Sequence, residues 1–334
     1  MAERDLADRL DETIDAIVAR SDATAALRDR DLAALARIAA DLRHYPRPDF
    51  KSRLRAQLER RTNMTAASTM TTGASATAIR EGFTTVTPYI RVAAAGLVDF
   101  LVQVFDAQET FSGRGGGGGM HREVRVADSM IMVGEGEAAG GGGVMPVSPV
   151  AFHVFVKDVD ATFARALAAG ATSLGEPADR PYGERSGFVA DPFGNHWYIA
   201  TPRPRGEAEV ARGPESVASA LRTVTPFLHA TGAAEYDEFL QRALGAVEEM
   251  RRDEGGQLRY ARLRIGDGAV ELGEGEPMPG SFLLYVADPD AMYQQALAAG
   301  ATSIMPVTDQ PYGRIGGVAD PLGNRWFFSR PVQG

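Results

Sequence analysis

At 334 residues, with 44% hydrophobic and 24% charged side chains, the chain is long enough for two ordinary cores plus an extension and has a globular composition. A formal net charge of −9 argues against nucleic acid as a partner, because phosphate binding needs a concentrated basic face. The absence of cysteine excludes disulfides, thiolate metal sites and cysteine nucleophiles; with no membrane-length apolar run and no signal-peptide core, a cytoplasmic location is expected and membrane association is not.

Residues 1–62 differ from the rest. Leu6, Leu10, Ile14 and Ile17 recur at helical spacing, as do Leu32, Leu35, Ile38 and Leu42, and Pro48 opens a third helix that carries Phe50, Leu54 and Leu58. The segment is expected to be a small helical N-terminal extension, followed by a Thr-, Ser- and Ala-rich linker over 63–82. From residue 83 the chain repeats itself. ALAAGATS stands at 166–173 and again at 296–303, PYG at 181–183 and 311–313, and DPFGNHWYI at 191–199 returns as DPLGNRWFF at 320–328. TVTPYI (85–90) is echoed by TVTPFL (223–228) at a nearly constant offset. Such self-similarity means two copies of one domain. They are bounded at 83–202 and 221–331, with a Pro-, Arg- and Gly-rich connector at 203–220.

Within the first copy the spacing predicts a strand at Val86–Val92 and a helix carrying Leu97, Leu101, Val104 and Phe105. Short strands follow around Glu109–Gly113, Met120–Val126 and Ser129–Val133. Then come a strand at Ala151–Val156, a helix from Val159 to Ala169 capped by Gly170, and strands at Thr172–Leu174, Gly187–Ala190 and His196–Ala200. The order strand, helix, three strands is thus given twice per copy. The glycine tracts at 115–119 and 140–143 lack the strand-to-helix setting and the Gly-Lys step of a phosphate cradle, and are expected to be loops.

A strand beginning VTPY, the stretch MHREVRVADSMIMVGEG, a DVDA helix start, ALAAGAT and the closing DPFGNHW together resemble the vicinal oxygen chelate superfamily, in its PhnB-like, glyoxalase and bleomycin-resistance branch. The likeness spans both copies and leaves residues 1–80 aside. It implies an α+β fold of tandem domains, each of paired βαβββ modules whose sheets curl around a concave pocket. It also implies a divalent ion in the catalytic members, held by His, Gln or Glu on the first and last strands of the modules. The corresponding positions here are Thr87, Met132, Ala151 and Tyr198 in the first copy and Thr225, Glu271, Ser281 and Phe327 in the second. One carboxylate among these cannot hold an ion that wants three or four converging donors. No cofactor is therefore expected.

The alternative is a metal (zinc, manganese, iron or nickel) or acid–base site of another kind. Strand alternation puts His121 and Glu123, His153, and His196 on concave faces, so that one pocket could gather them as catalytic or metal-ligating residues. The same parity makes Tyr89, Phe155 and Tyr198 candidates for contact with a ligand, and in the second copy Phe227, His229, Tyr260, Arg262, Tyr285 and Phe327. Tyr182 and Tyr312, in the Pro-Tyr-Gly loops, are expected to overhang the pocket mouth. Glu271 is expected to neutralise one of the arginines of its copy, and Trp197 and Trp326 to pack behind the sheet. The reading that follows is a protein binding a small organic molecule in a concave pocket without the usual metal tetrad, its two copies facing each other as an intramolecular pseudo-dimer. A homodimer remains open. The alternatives are a metal-dependent lyase or dioxygenase using the histidine set, and a scaffold whose N-terminal helices bind a partner.

Overall fold

The computed structural model describes residues 79–331 apart from 81, 116–118, 137–144 and 204–220. The expected helices of residues 1–62, most of the 63–82 linker, the centre of the first glycine tract and the whole of the second lie outside the described residues.

Four βαβββ modules follow one another. The first is β1 (Val86–Val92), α1 (Leu97–Phe105), β2 (Gln108–Arg114), β3 (Met120–Val126) and β4 (Ser129–Glu135). The second is β5 (Ala151–Phe155), α2 (Val159–Ala168), β6 (Thr172–Arg180), β7 (Glu184–Ala190) and β8 (His196–Pro202). The third is β9 (Val224–Ala230), α3 (Ala233–Leu244), β10 (Val247–Glu254), β11 (Gln257–Ile265) and β12 (Gly268–Glu274). The fourth is β13 (Ser281–Tyr285), α4 (Pro289–Ala298), β14 (Thr302–Gln310), β15 (Gly313–Ala319) and β16 (Arg325–Pro331). The Pro-Tyr-Gly segments are not long loops. Each is the tight tip of a hairpin, β6–β7 or β14–β15, whose strands run longer than the sequence suggests.

The eight-stranded sheets do not follow the repeats. The first joins modules one and four through an antiparallel β1–β13 pair, Thr87 opposite Leu283; the second joins modules two and three through β5–β9, His153 opposite Thr225. The helix-side cores do follow them. Phe152, Phe163, Trp197 and Ile199 pack with Leu97, Leu101 and Val133 of the same copy, while Trp326, Phe328, Leu240 and Leu263 form the equivalent cluster of the other. Each copy thus keeps its own apolar interior and shares its strands with the other, which is the pseudo-dimer.

Two matched contacts fasten the exchange. The Asp128 carboxylate, at the β3–β4 turn, accepts from the Thr223 backbone N–H at 2.8 Å, and Asp267 at the β11–β12 turn accepts from that of Thr85 at 2.7 Å.

Local sequence explains the module ends. In DPFGNHW the Asp191 carboxylate collects the N–H groups of Phe193 and Asn195, the Asn195 side-chain amide and the Trp197 indole, all at 2.8–2.9 Å. Asn195 Oδ1 accepts in turn from Val150 N, tying the last strand to the first. Gly194, at φ +88°, makes the corner that this requires. Asp320 and Asn324 repeat the arrangement, with the Tyr236 hydroxyl as an additional donor at 2.5 Å. Both tryptophans are fully buried on the helix side, where they were expected. Helices α2 and α4 open on Asp158 and Asp288, whose carboxylates cap Ala161 N and Ala291 N. Helices α1 and α3 open on glycine and are capped from the last strand of their own module, by Glu135 on Gly96 N and by Glu274 on Gly232 N and Ala233 N.

Candidate functional site on the second sheet

The exchange of modules sorts the sequence candidates into two groups. His121, Glu123, Tyr89, Tyr285, Tyr312 and Phe327 belong to the first sheet; His153, His196, Phe155, Tyr182, Tyr198, Phe227, His229, Tyr260 and Arg262 belong to the second. The set His121, Glu123, His153 and His196 is therefore not one site. Alternation fixes which face a side chain takes, but module one and module two lie in different sheets.

On the first sheet the chain itself fills the concave face. Phe83, Met130, Met132, Leu283, Tyr285, Ile315 and Phe327 form a buried cluster, with Ile79, Tyr89, Met145, Ile304 and Met305 packed against it. Phe327 is fully buried, and the tip residue Tyr312 is 64% exposed. The end of the expected linker takes part in this packing, since Ile79 and Phe83 flank Arg80.

The second sheet is different. Phe155, Phe188, Tyr198, Phe227, His229 and Tyr260 are only partly buried, although none of their strands is an edge strand. The rings touch in series: Phe188 meets Tyr198 edge-on, Tyr198 meets Phe227 at 5.1 Å, and Phe227 meets His229 at 5.1 Å. The Tyr198 hydroxyl and His229 Nε2 are hydrogen-bonded at 2.9 Å. Burial pushes the Tyr198 hydroxyl up; burial, with a small addition from His196, pushes the His229 imidazole down, and burial lowers His196 as well against the opposing Asp191.

At the centre lies a charged cluster. His153 Nδ1 donates to Glu271 Oε2 at 2.9 Å, and the Tyr260 hydroxyl donates to Glu271 Oε1 at 2.5 Å. Glu184 Oε2 lies 3.6 Å from His153 Nε2. The Glu271 side chain is 1% exposed. Burial works against a charged His153, but the Glu271 carboxylate, by charge and hydrogen bond, and then Glu184 outweigh it and raise the imidazole above its ordinary value. Burial raises Glu184, opposed by His153 and reinforced by Glu271. Burial and then the same Glu271 carboxylate raise Tyr260. Both shifts, upward for His153 and upward for Glu184, favour the protonated form of each group.

Among the described residues Glu271 pairs with His153 and not, as the sequence suggests, with an arginine. Arg262 and Arg264 both lie against Glu249, at 3.3 and 3.1 Å. Arg180, which sequence reasoning missed, lays its guanidinium over the Phe188 ring at 4.9 Å. Tyr182 lies under Arg252 at 5.7 Å.

The sequence profile of the Glyoxalase/Bleomycin resistance protein/Dioxygenase superfamily matches residues 93–199 and again 233–328. The chain belongs to that superfamily. An uncharacterized protein of Mycobacterium bovis is 40% identical over 116 residues, covering 33% of this chain and 76% of its own. An uncharacterized protein of Mycobacterium tuberculosis strain H37Rv is 40% identical over 116 residues, covering 33% of this chain and 68% of its own. Among solved structures, glyoxalase I from Zea mays superposes with a TM-score of 0.55 at 13% identity, over 73% of this chain and 91% of its own, a likeness of fold alone.

The superfamily's ligand positions regroup with the sheets. Thr87, Met132, Ser281 and Phe327 fall on the first, and Ala151, Tyr198, Thr225 and Glu271 on the second. Their equivalence is visible in the register. Each first-strand position stands two residues before the partner of its last-strand position: Met132 faces Tyr89, Tyr198 faces His153, Glu271 faces Phe227 and Phe327 faces Leu283. The Thr87 and Thr225 hydroxyls donate to backbone carbonyls nearby, Thr84 and Arg222, at 3.2 Å. With methyl, thioether and aromatic groups at most of the other positions, the donor chemistry at these positions does not fit a divalent ion. Among the described residues no three His, Cys, Asp or Glu side chains are grouped so as to hold a metal ion.

Proposed function

We propose that this protein binds a small aromatic molecule on the concave face of its second sheet, without the metal tetrad of the superfamily's catalytic members. One observation supports the reading above the rest: the Glu271 carboxylate, at a superfamily ligand position, is already engaged by the His153 imidazole at 2.9 Å and the Tyr260 hydroxyl at 2.5 Å. The half-buried rings of Tyr198, Phe227 and Tyr260 supply the apolar surface, and Glu184 supplies an acceptor for a donor group on the ligand. Arg262 and Arg264 of the third module are engaged with Glu249, which argues for an uncharged aromatic ligand over an anionic one.

Metal analysis and binding are tested on the same untagged protein. Zinc, manganese, iron and nickel are expected far below one equivalent. Saturation-transfer NMR with phenol, indole and tryptamine as probes is expected to show contact that survives EDTA and is lost in Tyr198→Ala. Near-stoichiometric metal that leaves on His153→Ala, or probe contact abolished by EDTA, would refute the proposal.

A further inference from the structure

The first sheet carries a second constellation, and the chain fills it from outside. Glu123 is buried on β3, its side chain 5% exposed, whereas the Arg80 side chain that meets it is 46% exposed. The guanidinium grips both carboxylate oxygens, Nη1 to Oε1 at 2.5 Å and Nη2 to Oε2 at 2.8 Å. It lies 4.6 Å above the Phe83 ring, with the Tyr285 side chain nearby. On the other side of the carboxylate, His121 Nε2 approaches Oε1 at 3.4 Å, and Tyr89 stacks on His121 and is hydrogen-bonded to it at 3.1 Å.

A buried carboxylate presented as a fork, an aromatic face beside it and a phenol at its edge are what a planar cation requires. A carboxylate held by an ion pair alone needs no such enclosure. The arginine comes from a short segment ahead of β1, while Glu123, His121, Tyr89 and Tyr285 come from three strands of two modules. We propose that the concave face of the first sheet is a binding subsite for small molecules bearing a guanidinium or amidinium group, and that Arg80 occupies it as an internal surrogate. The subsite is independent of the second-sheet reading, since it shares no residue with it.

Phenylguanidine is the probe and phenylurea its uncharged counterpart, titrated by calorimetry into the full-length wild type and Arg80→Ala. The variant is expected to bind phenylguanidine at least tenfold more tightly than the wild type does and to ignore phenylurea. The double variant Arg80→Ala/Glu123→Gln is expected to lose the gain. Should Arg80→Ala be poorly folded, Arg80→Met keeps the aliphatic stem, and a rise in melting temperature with phenylguanidine reports binding even to a weakened fold. In the wild type, saturating phenylguanidine is expected to increase hydrogen exchange across residues 79–83, because a true occupant displaces the surrogate. Arg80 variants that gain nothing over wild type, or wild-type exchange that stays unchanged at saturation, would overturn the proposal and leave Arg80–Glu123 as a structural ion pair.

Discussion

Replacing His153 by alanine probes the centre of the second-sheet site. The Glu271 side chain is 1% exposed and that of His153 11%, so the pair is screened little by solvent. Removing one partner of such a pair leaves the other charge buried without compensation, at a cost of about 3–5 kcal/mol. Among the described residues, the Tyr260 hydroxyl alone would still hold the carboxylate. In a unit of this size each kcal/mol moves the melting temperature by about 2–4 °C, so a fall of about 6–20 °C is expected. The loss also has a pH signature. His153 is raised above its ordinary 6.5, so its contribution to stability is complete below that value and fades as pH rises through the folded value. Urea titrations of wild type and variant at pH 6 and pH 9 should show the gap narrowing at the higher pH. Adding Glu271→Gln to the variant should recover part of it. A cost below about 1 kcal/mol at pH 6, the worth of an exposed ion pair, or a gap that ignores pH would refute the reasoning.

Other expectations are more local. Tyr236→Phe removes a donor to the buried Asp320 carboxylate and an acceptor for Asn324, and should cost about 1.5–3 kcal/mol by chemical denaturation. Gly313 has φ +144°, and a Cβ there would stand 2.4 Å from the Arg330 carbonyl oxygen, so Gly313→Ala should lower stability by at least about 1–3 kcal/mol, whereas Gly255→Ala, with open space around it, should cost less. Burial, helped by the neighbouring Asp237, raises Glu248 to about 7, so the folded state holds a proton that the unfolded chain gives up near 4.5. Stability should therefore fall as pH rises from about 4.5 to about 7, and Glu248→Gln should flatten that part of the curve. An unchanged slope would show that other groups set it.

The sequence carried the modules well, because each is encoded locally. Turn chemistry at Asp191–Asn195, caps at Asp158 and Asp288 and the alternation of β3 and β4 all act within a few residues of themselves. The choice of partner strand is another matter. β5 and β13 are both short apolar first strands, and nothing in Ala151–Phe155 or Ser281–Tyr285 says which of β1 and β9 each will join. The error over the histidines follows from that gap, since His121 and His153 have compatible parity but separate sheets. Glu271 was legible as a ligand position and not as the partner of His153, because that hydrogen bond spans 118 residues. Arg80 was hidden for a simpler reason. Its neighbours in sequence have the composition of a tether, and only the fold brings Glu123 and Tyr285 to it.

Pairing modules across the repeats has a consequence for how the two cavities can differ. In an assembly of two identical subunits, symmetry makes every substitution appear in both clefts at once. Here one covalent chain supplies four unequal quarters, and each cleft draws on its own two. One hollow has been packed with Phe83, Met132 and Phe327 while the other keeps partly exposed rings around His153, a divergence that a symmetric pair of chains could not support.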